Sequence, residues 1–319
     1  MTRLRCAILD DYFNIALNVA DWAKIADRVD VTVFNHHFPS EAAAASALKD
    51  FEIVCAMRER TPFPRTLLAE LPKLRLLLTS GMRNAAIDME AAKERGVVVC
   101  GTQWSQDPTA ALTMGLILEL TRGIGRENAR MHAGEVWQTF PGIEIEGRTL
   151  GVVGLGKLGS KVAGLAKAFG MKVIAWSPNL TPERAKEVGV GYASKEELFA
   201  NADIVTVHVV LSQRSRGLVG RDDLARMKPT AFLVNTSRGP IVDEQALSET
   251  LQQKKIAGAA VDVFSVEPLP VDHPFRKLDN MVITPHLGYV SVDALRAHYS
   301  QMVDTIDAWF KGEPPRRLA

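Results

Sequence analysis

Three cysteines in a chain of 319 residues, at positions 6, 55 and 100, are too few and too widely spaced to frame a disulfide-stabilised fold or a cysteine-rich metal site. Each lies among β-forming apolar residues, which points to buried free thiols in a reducing compartment. A cytoplasmic protein without a bound metal is therefore expected. Charge of one sign is equally scarce: 38 Lys and Arg stand against 37 Asp and Glu, a formal net charge of +1. That balance offers no basic face for nucleic acid and no polybasic anchor for an anionic membrane, so neither is expected as a partner. Long apolar runs are also missing. Even Leu112 to Leu120 is interrupted by Glu119, well short of the ~18 residues that a bilayer span takes. The stretch from Met1 to Asp11 enters a strand directly and ends on two acids, so no cleavable leader is expected. No repeat or low-complexity segment appears beyond the alanines at 42–45.

What is present is an ordinary α/β composition, 47% hydrophobic and 24% charged, in a chain long enough for two domains. Strand-like runs at Arg5–Leu9, Val29–Phe34, Ile53–Met57, Leu74–Thr79 and Val97–Cys100 alternate with helical stretches at Ile15–Ala26, Glu41–Lys49, Pro64–Glu70 and Ile87–Arg95. Such alternation predicts βαβ units and a parallel sheet covered by helices. A long helix from about Pro108 to Gly123 follows. A second unit opens at Thr149, with strands near Gly151, Val173, Ile204, Phe232, Ala259 and Val282. From Val292 to Phe310 the residues Leu295, Tyr299, Met302, Ile306 and Trp309 fall on one helical stripe, which is expected to fold back on the first unit.

The most informative segment is Thr149 to Gly170. Leu150 to Val153 read as a short strand, Gly154, Gly156 and Gly159 have the GxGxxG spacing, and Ser160 to Phe169 run at helical period before the next strand, Met171 to Trp176. The first glycine permits a tight turn, the second lets backbone approach a pyrophosphate, and the third lets helix and strand pack closely. Phosphates then meet the free N–H groups of a helix start, including Lys157 and Leu158. This context predicts a dinucleotide site.

Five segments in order, the glycine stretch, Ala202–Leu211, Met227–Asp243, Gly258–Leu269 and Val282–Gly288, resemble the D-isomer-specific 2-hydroxyacid dehydrogenases over nearly the whole chain. The resemblance implies two Rossmann-like or flavodoxin-like doubly wound parallel-sheet domains with the active site in the cleft between them. Residues 1–101 with 290–319 would form a discontinuous substrate-binding domain, and 102–289 the NAD(P)-binding domain. It further implies a homodimer, with Trp104 and Trp137 in the region that helps to form it. Carried over by motif, the catalytic residues are Arg238, Glu267 and His286. Arg238 would take the substrate carboxylate or reacting carbonyl with its planar fork. His286 would exchange a proton with the carbonyl oxygen as hydride moves to or from the nicotinamide. Glu267, paired with that imidazole, favours its charged form. Thr236 and Asp262 are expected at the cofactor, and His208 ends a strand where the cofactor should lie.

Two departures from the family pattern bear on specificity. Ser177 stands where NAD-preferring members carry an acid for the ribose hydroxyls, so NADP(H) becomes possible, with a slight lean toward it. The next cation is Arg184, a turn into the following helix begun by Thr181 and Pro182. In the carboxylate-binding loop, Gly81-Met82-Arg83 replaces the usual second glycine with arginine. Arg83, together with Arg58 and Arg60, is a candidate clamp for a second anionic group such as a distal carboxylate or phosphate. The expected activity is reduction of a 2-keto acid to a D-2-hydroxy acid, or the reverse. Glyoxylate or hydroxypyruvate reductases and D-3-phosphoglycerate dehydrogenases are examples of the class, although the long C-terminal extension of regulated phosphoglycerate dehydrogenases is not expected here. The formate dehydrogenases of this fold typically have Gln where Glu267 stands. A nucleotide-sensing corepressor with little turnover is the alternative.

Overall fold

The alternating apolar runs become two parallel sheets. A computed structural model describes residues 3–103 and 107–319, and its contacts divide the chain into two compact units, Met1–Ser105 with Val290–Ala319 and Gln106–Tyr289. Trp104 lies outside the described residues.

In the first unit β1 (Leu4–Ile8), β2 (Val29–Val33), β3 (Ile53–Ala56), β4 (Leu76–Thr79) and β5 (Val98–Gly101) form a five-stranded sheet in the order β2-β1-β3-β4-β5. Every pairing in it is parallel. All residues of β3 and β4 are buried, as strands covered on both faces require. The outer side of β5 is occupied by the carboxyl terminus: the Gly101 N–H donates to the Arg316 carbonyl at 3.0 Å and the Leu318 N–H to the Val99 carbonyl at 2.7 Å. This leaves no bare sheet edge there. The helices are α1 (Ala16–Val19), α2 (Glu41–Leu48), α3 (Arg65–Ala69) and α4 (Met89–Glu94). Ser40 and Asp88 cap α2 and α4, accepting from the N–H groups of Ala43 and Ala91.

One predicted helix is broken. Instead of running from Ile15 to Ala26, the chain leaves α1 at Ala20, which is extended, and resumes as a 3-10 turn at Trp22–Ile25. The break lets Trp22 bury its indole with Nε1 donating to the Ala16 carbonyl at 2.9 Å. A buried, satisfied indole replaces helix hydrogen bonds that local periodicity alone would favour.

The second unit carries α5 (Asp107–Arg122), α6 (Ile124–His132), β6 (Thr149–Val153), α7 (Lys157–Ala168), β7 (Lys172–Trp176), α8 (Pro182–Val188), β8 (Gly191–Tyr192), α9 (Lys195–Asn201), β9 (Ile204–Val207), α10 (Arg221–Arg226), β10 (Phe232–Asn235), α11 (Glu244–Gln252), β11 (Gly258–Val261) and β12 (Met281–Ile283). Its seven strands are ordered β12-β11-β10-β9-β6-β7-β8 and pair in parallel throughout. Helix α7 begins at Lys157, three residues before the periodic run suggested. Helix α6 is absent from the sequence reading; it buries none of its residues, and its large apolar side chains, Ile124 and Met131, are exposed. Gly123, in the left-handed region at φ +61°, separates it from α5.

The last helix, α12 (Val292–Phe310), belongs to the first unit and packs on α1 and the Trp22–Ile25 turn. Leu295, Tyr299, Met302 and Ile306 are buried on one stripe, and His298 lies buried among them. Among the described residues no helix is long and apolar enough to cross a membrane.

Candidate active site

In an open parallel sheet, ligands bind beyond the carboxyl ends of the strands, at the point where strand order reverses. In the second unit that point lies between β6 and β9. The turn after β6 starts at Gly154, whose φ of +104° places it in the left-handed region. A Cβ on Gly154 would come within 2.8 Å of the His208 backbone, and one on Gly159 within 2.0 Å of the Gly154 carbonyl oxygen. Both positions therefore exclude a side chain. Gly156 differs, because a Cβ there would meet nothing within 4 Å. It is the N-cap of α7, with no side-chain cap on the helix amides. Ser160 Oγ, in the first turn, is buried with no hydrogen-bond partner among the described residues. Open space beside Gly156, uncapped amides and an orphaned hydroxyl fit a pyrophosphate.

Ser177 follows β7 and is partly buried. Thr181 caps α8 by accepting from the Arg184 N–H at 3.2 Å, and the Arg184 guanidinium is already 2.8 Å from Glu187. His208, after β9, is 8% exposed; its Nε2 lies 2.9 Å from Thr206 Oγ1, and burial pushes its pKa down to about 3, so the ring is neutral. Thr236, after β10, is also buried, with Oγ1 2.9 Å from Thr113 Oγ1.

The loops after β10, β11 and β12 bring Arg238, Glu267 and His286 together. His286 Nδ1 lies 2.6 Å from Glu267 Oε2, and Glu267 Oε1 accepts from the Phe264 N–H at 2.9 Å. Burial acts to raise the Glu267 pKa, but the hydrogen bond and charge of His286, the Phe264 amide and the charge of Arg238 outweigh it, and the carboxyl sits below its ordinary range. Arg238 is thus within electrostatic reach of the pair. Its own Nη1 donates to the Ser237 carbonyl at 2.8 Å.

His286 occupies a left-handed conformation, φ +54°, uncommon for a side chain other than glycine. The surroundings that impose it centre on Asp262. The His286 N–H donates to the Asp262 carbonyl at 2.9 Å. Asp262 Oδ1 accepts from Thr284 Oγ1 at 2.6 Å and the Leu287 N–H at 2.7 Å, and Oδ2 accepts from the Gly288 N–H at 2.7 Å. The sequence reading placed Asp262 at the cofactor. It is 0% exposed, and its oxygens accept from the loop that carries His286. Desolvation is what raises its pKa, against the pull of those donors.

In the first unit the strand order reverses between β1 and β3. Arg58 follows β3 with φ +53°. Its N–H donates to Ser80 Oγ at 2.9 Å, its Nη1 to the Ser80 carbonyl at 3.2 Å, and its Nε lies 3.6 Å from Glu59. Arg60 stacks over the Tyr12 ring, 4.7 Å from its centre. Asp10, buried after β1, accepts from Thr61 Oγ1 at 2.8 Å and from the Tyr12 hydroxyl at 3.2 Å, and burial raises its pKa. Met82 and Arg83 are exposed, but Gly81 is buried and its N–H donates to Thr102 Oγ1 at 3.0 Å. Within the expected carboxylate-binding loop, the Gly81 N–H is thus committed to Thr102. Asp10, Thr61, Ser80, Asn84, Thr102 and His298 were not singled out from the sequence. For Asp10, Ser80 and Thr102 the available signal was a polar residue at the end of an apolar strand, and loops are full of such residues; His298 showed itself only as a histidine inside an apolar helical stripe. Among the described residues no group of three or more His, Cys, Asp or Glu could hold a metal ion.

Comparison with known proteins identifies the family. Residues 114–288 match the family model described as D-isomer specific 2-hydroxyacid dehydrogenase, NAD binding domain. A glyoxylate reductase of Korarchaeum cryptofilum is 34% identical over 304 residues, which is 93% of this chain and 91% of that protein. A D-3-phosphoglycerate dehydrogenase of Methanocaldococcus jannaschii is 39% identical over 270 residues, 83% of this chain, and the match spans only 51% of that longer relative. The crystal structure of a phosphoglycerate oxidoreductase from Vibrio cholerae superposes with a TM-score of 0.92 at 35% identity, covering 97% of this chain and 99% of the other. With its two parallel-sheet units, its glycine turn and its Arg–Glu–His loops, the chain belongs to the D-isomer-specific 2-hydroxyacid dehydrogenase family.

Proposed function

We propose that this protein reduces a 2-keto acid to a D-2-hydroxy acid, or runs the reverse oxidation, with NAD(P)(H). The observation that carries the reading is the 2.6 Å contact between His286 Nδ1 and Glu267 Oε2. It leaves Nε2 as the ring atom available to exchange a proton with a substrate oxygen. A carboxylate on the far nitrogen orients the ring and stabilises the imidazolium, so the proton is held ready for the carbonyl. Arg238 supplies a planar cation for the substrate carboxylate or the polarised carbonyl. The nicotinamide, when bound, supplies or accepts the hydride. Gly154, Gly156, Lys157, Leu158 and Gly159 hold its pyrophosphate, with Ser177 at the ribose. Arg58, Arg60, Met82 and Arg83 serve the substrate.

For the cofactor we place NADPH slightly ahead of NADH. Ser177 brings no carboxylate to repel a 2′-phosphate, yet Arg184 is paired with Glu187 and no clamp is built from it. A modest preference follows, not an exclusive one.

A second copy of the chain is the partner we propose. Ile124, Met131, Val136 and Trp137 expose 55–94% of their surface along and just after α6, a concentration of apolar side chains that suits an interface. Sedimentation should give a dimer, and Trp137→Ala should weaken it.

The deciding experiment follows oxidation of NADH and NADPH with glyoxylate, hydroxypyruvate, pyruvate, phenylpyruvate, oxaloacetate, 2-oxoglutarate and 3-phosphohydroxypyruvate. Turnover of any of these supports the reading. Tight nucleotide binding with no turnover across the panel would overturn it in favour of a sensor.

A further inference from the structure

Helix α12 carries a histidine in the middle of its apolar stripe. His298 is 1% exposed, and its Nδ1 lies 2.6 Å from Thr102 Oγ1. Thr102, just after β5, is itself 0% exposed and accepts the Gly81 N–H at 3.0 Å. A hydroxyl whose oxygen already accepts an amide proton has its own proton to give, and Nδ1 is the acceptor at hand. With Nδ1 as the acceptor, the hydrogen bonds run from the Gly81 N–H to Thr102 and from the Thr102 hydroxyl to His298, and the ring proton sits on Nε2, which is buried with no hydrogen-bond partner among the described residues. Burial and the nearby Arg58 charge push the His298 pKa down to about 4, which keeps the ring neutral and so able to accept at one nitrogen.

The Gly81 peptide begins the Gly81-Met82-Arg83 loop. Its φ of +94° lies in the left-handed region that favours glycine, and a Cβ there would meet Arg58 Nη1 at 2.3 Å. Asn84 fastens the other end, with Nδ2 donating to the Arg58 carbonyl at 2.6 Å and to Thr79 Oγ1 at 2.9 Å. Between these ties, the N–H groups of Met82 and Arg83 have no internal acceptor among the described residues.

We propose that His298 is a positioning residue: through Thr102 it anchors the Gly81 peptide, so that the Met82 and Arg83 N–H groups, not that of Gly81, face a substrate carboxylate. The proposal rests on the reading of this loop as substrate-binding. It makes a buried helix residue a determinant of KM without contact with substrate. A directional chain of hydrogen bonds in a dry interior is stiffer than its separate members, which suits a loop that must hold two amides in register.

The test uses Thr102→Val, His298→Leu and His298→Asn in the full chain, with two readouts. The first is hydrogen exchange of the Gly81 amide, which needs no substrate. Exchange should be slow in the parent protein, about tenfold or more faster in Thr102→Val and His298→Leu, and slow again in His298→Asn, whose Oδ1 can replace Nδ1 as acceptor. The second is steady-state kinetics with glyoxylate, or with the panel member turned over fastest. KM should rise about tenfold in the first two variants with kcat and NADPH affinity nearly unchanged, and fall back in His298→Asn. Fast exchange at Gly81 in the parent protein overturns the proposal. So does a loss of kcat and thermal stability with KM unmoved, which would mark a packing role only. Gly81→Ala separates the two layers of the argument. If it raises KM while the other variants do not, the positioning role fails and the loop reading stands. If Gly81→Ala also leaves KM unmoved, the loop reading itself fails.

Discussion

His286 Nδ1 stands 2.6 Å from Glu267 Oε2, and the ring that makes this contact is carried by a backbone at φ +54°. A left-handed conformation on a residue other than glycine costs of order 1 kcal/mol or more and persists only where neighbours over-determine it. Here those neighbours are the backbone and carboxylate of Asp262, and a strained, braced histidine paired with a carboxylate is an arrangement suited to proton transfer.

Glu267→Gln keeps the shape of the contact and removes its charge. We expect kcat to fall by about 10²-fold or more while nucleotide affinity holds, because the imidazolium loses its counter-charge. The pH dependence of stability should change too. The folded-state pKa of Glu267 is lowered, so its contribution is present above the ordinary carboxylate value and is lost as pH falls through the folded value. Melting curves between pH 6 and 3 should therefore show an acid-side loss in the parent protein that is smaller in Glu267→Gln. Parallel curves would sink the assignment.

Asp262→Asn should lower the melting temperature. A carboxamide can accept at one position only, which leaves one of the Thr284, Leu287 and Gly288 donors facing an NH₂ group in a buried site, at about 1–3 kcal/mol. The same change should reduce kcat more than it raises KM, since it frees the loop that carries His286. A variant with unchanged melting and turnover would show that the brace is unnecessary.

Gly156→Ala and Gly159→Ala separate binding from folding at the glycine turn. With nothing within 4 Å of its new methyl group, Gly156→Ala should melt like the parent protein yet bind NADPH and NADH at least tenfold more weakly. Gly159→Ala drives a methyl to within 2.0 Å of the Gly154 carbonyl and should lose stability outright. Calorimetry of the two variants without nucleotide, followed by nucleotide titration of whichever folds, checks both.

Ser177→Asp should turn the cofactor preference toward NADH. A carboxylate beside the ribose can accept from its hydroxyls and repels a 2′-phosphate, so kcat/KM with NADPH should fall at least tenfold while that with NADH holds or rises. An unchanged ratio would mean that the position after β7 does not read the ribose.

Much of the architecture was readable because it depends on local periodicity. Short apolar runs bounded by turns marked every strand but β8, and α12 spans the Val292–Phe310 stretch that its stripe from Leu295 to Trp309 predicted. The glycine turn was readable because glycine at 154 and 159 answers steric demands that no other residue meets. Periodicity failed at Ala20, where the indole of Trp22 broke a helix, and α6 was absent from the reading.

The identity of Arg238, Glu267 and His286 as candidates came from motifs in the chain, since chemistry restricts which side chains can carry a proton or bind a carboxylate. Their geometry came from the fold. Asp262 illustrates the difference: as a residue of a conspicuous motif it suggested a cofactor contact, and the packed structure turns it inward to three donors 22–26 residues away. Thr102 and His298 lie 196 residues apart in sequence, yet their side chains meet in the interior and withdraw the Gly81 N–H from any ligand. Composition, motif and hydrophobic period determined the two parallel sheets, the family and the candidate reacting side chains, because each is a property of neighbours along the chain. Which buried polar groups find one another was decided only by tertiary closure, because a hydrogen bond in a dry interior depends on distances of a few ångströms between segments that the sequence keeps far apart.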